Sequence, residues 1–302
     1  MAAMKDYINL VKPGIIISNS IAAFGGFWIA YISSERILTG AAFFVTMVSA
    51  LAGTALVMAA GTVYNNYFDR HIDAKMERTK SRASAAGKMS PRSILACGTL
   101  LGAAGLAILL TVNILTALLG FAAFILYAVI YTVWFKRSSV WSTFVGSFPG
   151  ASPPIMGYCA AAGHVDMTAL VLYAIMFLWQ PPHFWAIGIT RKEEYRAAGV
   201  PLLPVVKGNH LTKLSMIRYI ILLVPVTLLL YFYVGLDHLS PLYFISALIL
   251  GFTWIYKSCQ GFKTDHDVKW SKGMFAYSLL YFCLLFSVMI VDTFIMAFII
   301  KG

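Results

Sequence analysis

The chain has 302 residues, of which 60% are hydrophobic and 12% charged, with a mean hydropathy of +0.79. That composition excludes a soluble globular domain, and apolar segments recurring from end to end exclude one anchored by a single span. The net charge of +11 comes without a nucleic-acid-binding motif, so anionic lipid or a phosphorylated substrate is the expected partner of the excess.

The pattern predicts an all-α polytopic membrane protein, with residues 1–302 forming one transmembrane domain. Nine spans are expected, at 14–32, 41–63, 93–112, 114–134, 140–160, 168–189, 217–235, 239–257 and 272–299. The third and fourth are nearly continuous. A helical hairpin about Asn113 divides them, because one helix that long would overshoot the bilayer. The start, Met1 to Ile8, carries no cleavable signal, and the lack of an Arg/Ser-rich presequence favours a bacterial inner membrane. With the N-terminus cytoplasmic, every Lys and Arg except Arg36 and Lys301 falls inside, and the C-terminus falls outside. Cys97, Cys159, Cys259 and Cys283 lack CxxC spacing and read as packing residues.

Two inner loops, about 64–92 and 190–216, are expected to form a polar cap. The first opens with Asn65-Asn66-Tyr67-Phe68-Asp69-Arg70-His71-Ile72-Asp73. Asn65, Asp69 and Asp73 are four apart, so they share one helical face over roughly 12 Å. Two carboxylates and an amide oxygen beside a membrane suit Mg²⁺ bridged to phosphate, and Arg78 and Arg82 suit the remaining anionic oxygens. The bland alternative is a charged helix end with ion pairs to Arg70 and Lys75. Lys136 and Arg137 follow the fourth span, either as a topology anchor or to neutralise a leaving group. The small and proline-rich Gly146–Pro154 predicts close helix contacts and an irregular wall.

In the sixth span, Trp179-Gln180-Pro181-Pro182-His183-Phe184-Trp185 places His183 about 10 Å below the inner interface. His183 and Gln180 are either hydrogen-bonded between helices or in contact with substrate, His183 then serving as a haem-iron ligand or an acid–base group. Glu193 and Glu194 begin the second loop. They read as a solvated helix end or as carboxylates for a second Mg²⁺. Polarity confined to one side favours an enzyme over a channel, which needs polar residues along a whole path.

These residues carry a resemblance that covers nearly the whole chain. Asn65-xxx-Asp69-xxx-Asp73 with Met76-Glu77-Arg78-Thr79, Tyr131-Thr132 with Lys136-Arg137, and Ala151-Ser152-Pro153-Pro154 resemble the UbiA-type intramembrane prenyltransferases. Trp179-Gln180-Pro181-Pro182-His183-Phe184, Glu193-Glu194-Tyr195 and Ala198–Pro204 resemble the branch acting on haem. Glu-Glu-Tyr stands where Asp-Asp-Tyr is common, and Ala83-Ser84-Ala85-Ala86 where an Arg-Pro-Leu-Pro-like run is expected.

The resemblance implies a UbiA-type bundle with a cytoplasmic-side active site. It implies Mg²⁺ on Asn65, Asp69, Asp73, Glu193 and Glu194, with farnesyl diphosphate on Arg70, Arg78, Arg82, Lys136 and Arg137. Farnesyl is transferred to a vinyl group of haem B, which is a substrate, with capture of water. Tyr131 lines the path of the allylic cation, and Trp179, Gln180 and His183 belong to the haem end. Haem A synthase or a haem-copper terminal oxidase is the implied downstream partner. An aromatic quinone precursor as acceptor, a transporter and a haem carrier are the competing readings.

Overall fold

The computed structural model describes residues 4–34, 36 and 38–300, the side chains of 299 and 300 excepted. Lys301, expected on the outer side, and residues 35 and 37 of the first outer turn lie outside the described residues. All regular structure among the described residues is helical: α1 Met4–Leu10, α2 Pro13–Ser33, α3 Gly40–Asp73, α4 Pro91–Val112 and α5 Ile114–Ser138. These are followed by α6 Ser142–Gly150, α7 Ser152–Ala162, α8 Met167–Thr190, α9 Lys192–Ala197 and α10 Leu203–Val206. The chain closes with α11 Gly208–Val234, α12 Pro241–Gln260 and α13 Asp267–Ile295, the last continued by a π-helical turn.

Eight of these are long and apolar enough to cross a membrane: α2, α3, α4, α5, α8, α11, α12 and α13. The expected span at 140–160 is instead two helices of 9 and 11 residues, broken at Ala151. Pro149, Pro153 and Pro154 supply no amide hydrogens, so the helical ladder cannot run through this stretch. Asn113 divides α4 from α5 as expected. It ends α4, its Oδ1 accepts from Thr116 N at 2.8 Å to start α5, and its Nδ2 donates to Cys159 O at 2.9 Å.

α3 departs from expectation in a way that matters for the site. It does not end near residue 63 but continues for 34 residues to Asp73. At about 1.5 Å per residue it is roughly 50 Å long, longer than a hydrocarbon core of about 30 Å. Residues 65–73 are therefore rigid helix rather than loop.

α2 packs against α7 and α3, α3 against α4, and α8 against α11 and α13, while α13 returns to α2 and closes the bundle. The approach of α2 and α7 depends on glycine. A Cβ on Gly157 would lie 1.8 Å from Ala23 O, and one on Gly26 would lie 1.9 Å from Pro154 O. Leu100, Phe232 and Phe252 are exposed on the outside, as a lipid-facing surface requires.

Candidate functional site

A cavity of about 740 Å³ lies within the bundle, toward the end of α3 that carries Asp73. That volume falls in the upper part of the ~300–1,000 Å³ range of small-molecule pockets. Lys12, Asn65, Asp73, Arg78, Arg82 and Lys136 line one region of it. Trp179, Gln180, His183, Phe275 and Lys272 line another, and between them the wall includes Met58, Phe124, Tyr127, Tyr131 and Met176.

The fourfold spacing on α3 does place Asn65, Asp69 and Asp73 in one polar cluster. Asn65 Nδ2 donates to Asp69 Oδ2 at 2.8 Å and to Thr132 Oγ1 at 3.1 Å. Lys136 ion-pairs with Asp69 Oδ2, and Arg137 Nη2 lies 3.8 Å from Oδ1. Asp73 Oδ2 accepts from Arg82 at 2.7 Å. Asp69 is 1% exposed, yet its Oδ1 has no hydrogen-bond partner. A buried carboxylate oxygen without a hydrogen bond, in a cluster whose Asn65 and Asp73 line the cavity, suits a hard cation, so these residues fit a divalent metal.

The segment holding Lys136 also owes its form to the site. Leu126–Phe135 is a π-helix, and Thr132 Oγ1 donates to Tyr127 O, five residues back, at 2.8 Å while accepting from Asn65. Tyr131 stacks on Tyr127 with centroids 5.6 Å apart, and both rings reach the cavity.

The Trp179–His183 segment is anchored on two sides. Gln180 Nε2 donates to Met176 O at 3.0 Å and to Ser147 O at 3.2 Å, tying α8 to α6. Trp179 Nε1 donates to Ser278 O at 2.8 Å, and His183 Nδ1 lies 2.7 Å from Ser278 Oγ, tying α8 to α13.

Other expected residues are not gathered here. Arg70 turns back along its own helix, donating to Tyr67 O at 2.7 Å and resting over the Tyr67 ring, and it does not line the cavity. One residue along a helix turns about 100°, so the neighbour of Asp69 points elsewhere. Arg137 donates to Phe68 O at 2.6 Å and touches the cluster only through Asp69. Glu193 pairs with Arg196 at the surface, and Glu194 pairs with Arg191 at 2.6 Å, its Oε2 buried without a partner. Among the described residues no three His, Cys, Asp or Glu side chains come close enough to form a metal cluster.

Two cavity residues are missed when basic residues are read for topology alone. Lys272 lines the wall near Phe275. Lys12 takes a left-handed backbone, φ 54° and ψ 70°, at the turn into α2, and its Nζ donates to Asn65 Oδ1 at 2.7 Å. Loss of water, followed by the charges of Arg82 and Lys136, pushes its ammonium down to about 7. The Lys12-Pro13 pair at the mouth of a helix is the one local signal that could have found it.

The UbiA prenyltransferase family matches residues 20–280. The chain is 71% identical over 291 residues to protoheme IX farnesyltransferase 1 of Bacillus subtilis, covering 96% of this chain and 91% of that one. The fold is similar to a solved structure from work on digeranylgeranylglyceryl phosphate synthase in membranes, with TM-score 0.75, 20% identity and coverage of 96% and 98%. It is also similar to a UbiA homolog from Archaeoglobus fulgidus bound to DMAPP and Mg²⁺, with TM-score 0.64, 17% identity and coverage of 94% and 99%. At those identities the solved structures speak to the fold.

Proposed function

The chain belongs to the UbiA prenyltransferase family, and we propose that it transfers the farnesyl group of farnesyl diphosphate to a vinyl group of haem B, giving haem O and diphosphate. The observation that carries this reading is the one cavity whose wall joins Asp73 and the cations Lys12, Arg78, Arg82 and Lys136 to the Trp179–His183 segment. The 71% identity to a protoheme IX farnesyltransferase over 291 residues supports haem as the acceptor.

Asp69, Asp73 and Asn65 would hold Mg²⁺, which when bound neutralises and orients the diphosphate. Glu193 and Glu194 are the second carboxylate pair of this reading, each now engaged by an arginine. Lys136, Arg78, Arg82 and Lys12 face the cavity and stabilise charge on the departing diphosphate, with Arg137 holding Asp69 from behind. Arg70 takes part only if it leaves the Tyr67 carbonyl.

The allylic C–O bond breaks with its electron pair passing to the diphosphate. Tyr127 and Tyr131 line the cavity, where their rings would stabilise the carbon that becomes electron-poor and the apolar wall would keep water from it. The vinyl π pair then forms the new C–C bond. Water adds to the resulting cation next to the porphyrin and loses a proton, leaving a hydroxyethylfarnesyl group.

This reading includes nine crossings, with α6 and α7 together making one broken crossing, and an active site at the cytoplasmic face of a bacterial inner membrane. Two facts support it. Asp73, Arg78, Arg82, Lys136 and Arg191 gather about one end of the cavity. Two acids away from it serve the helices: Asp166 caps α8 through Ala169 N at 2.9 Å, and Asp292 accepts from Ser240 N at 2.9 Å at the start of α12. That pattern argues against a polar transport path. A haem A synthase or a terminal oxidase is the consumer this product would serve.

The test is a product assay. Purified protein with haem B, farnesyl diphosphate and Mg²⁺ is expected to yield a haem heavier by one farnesyl group plus water. Unchanged haem, with prenylation of an added aromatic acid instead, would move the protein to another acceptor.

A further inference from the structure

His183 is held in a defined state by a residue that carries no catalytic motif. Ser278 on α13 is fully buried, and its Oγ lies 2.6 Å from Phe275 O and 2.7 Å from His183 Nδ1. A serine hydroxyl has one proton, and a carbonyl oxygen can only accept. The proton therefore goes to Phe275 O, and toward His183 the hydroxyl oxygen can only accept. Nδ1 must then carry the hydrogen.

The ring is fixed in plane as well as in protonation. It stacks on Trp179 at 4.6 Å and 22° and lies against Phe275 at 4.8 Å, with Phe184 edge-on at 5.2 Å. Among the described residues no carboxylate contacts it, so a charged imidazolium would have no anionic partner. What remains is a neutral imidazole whose Nε2 bears the lone pair and makes no hydrogen bond among the described residues. His183 lines the cavity.

We propose that Ser278 is a positioning residue, fixing His183 as the Nδ1–H tautomer so that Nε2 ligates the iron of the haem substrate. A metal-bound histidine needs its second nitrogen held in this way, and loss of such support typically weakens metal affinity about ten- to a hundredfold. The inference rests on haem being the acceptor. It adds how haem is oriented, with its iron at the α8–α13 seam and its edge toward the Tyr127–Tyr131 wall.

The experiment uses the purified full-length protein with ferric haem B, read by absorption and low-temperature electron paramagnetic resonance. Binding of farnesyl diphosphate is the control for folding. The wild type is expected to show a histidine-ligated haem that His183→Ala loses and added imidazole restores. Ser278→Ala is expected to bind haem about ten- to a hundredfold more weakly with an altered ligand-field signature, farnesyl diphosphate binding being unchanged. Ser278→Thr, which keeps the hydroxyl, is expected to stay near wild type.

A Ser278→Ala protein with wild-type signature and affinity would overturn the assignment. So would a His183→Ala protein that keeps the signature, or equal loss of both substrates in Ser278→Ala and Ser278→Thr. A wild type that farnesylates haem without a histidine signature would refute the ligation and leave the reaction standing. A wild type that neither binds nor converts haem would remove both.

Discussion

Lys136 on α5 and Asp69 on α3, 67 positions apart in the chain, meet as a part-buried ion pair at Asp69 Oδ2, while Asp69 Oδ1 makes no hydrogen bond and lies 3.8 Å from Arg137 Nη2. One carboxylate oxygen is thus hydrogen-bonded by protein and the other is not. On the proposed function, this division would let one residue carry the metal while it holds the cation that stabilises the leaving group.

Lys136→Ala is expected to lower kcat/KM for farnesyl diphosphate about 10²- to 10³-fold, the size of losing one charge-stabilising donor. Haem binding should be unaffected. Because Lys136 acts on Asp69 and on the same diphosphate, the double variant with Asp69→Ala should be no worse than Asp69→Ala alone. Steady-state kinetics of the four proteins checks this, and fully additive losses would mean that the two groups act apart.

Lys12 tests whether the turn before α2 belongs to the site. Lys12→Ala and Lys12→Gly should both raise KM for farnesyl diphosphate, with haem affinity unchanged. Lys12 is the one non-glycine residue with positive φ among the described residues, a conformation costing an L-residue about 1–2 kcal/mol. The glycine variant should therefore melt at a higher temperature than the alanine variant. Equal melting temperatures would show that the backbone there is relaxed.

Chelation of divalent cations should stop product formation and leave haem binding intact. The Trp179–Gln180–His183 region presents aromatic, amide and imidazole groups with the Lys272 cation and, among the described residues, no carboxylate on the cavity wall. Haem titration with and without chelator checks the separation, and a parallel loss of haem affinity would contradict it.

Packing gives a prediction independent of chemistry. Gly157→Ala should cost about 1–3 kcal/mol or abolish folding, because its methyl group meets the backbone of α2 at Ala23 rather than a movable side chain. Gly273→Ala, with nothing within 4 Å, should be tolerated. Thermal unfolding in detergent compares them.

Much of this is legible in the sequence, for identifiable reasons. The Asn65–Asp69–Asp73 face follows from spacing alone, and apolar length gives the long helices. The break at Asn113 is legible because bilayer thickness forbids the alternative. The broken α6–α7 pair is half legible: the prolines are visible, but whether they kink one helix or divide two depends on packing against α2. Lys12 and Ser278 are hidden because their partners, Asn65 and His183, lie 53 and 95 positions away. Glu193 and Glu194 show the opposite case, since their local spacing also serves i, i+3 pairs with Arg196 and Arg191.

The most direct measurement is a structure of the protein with haem B, Mg²⁺ and a farnesyl diphosphate analogue whose allylic bond cannot ionise. The account predicts the diphosphate against Asp69, Asp73 and Lys136, the farnesyl chain past Tyr127 and Tyr131, and the haem iron at His183 Nε2. Haem bound outside the cavity, or diphosphate away from the α3 carboxylates, would contradict it.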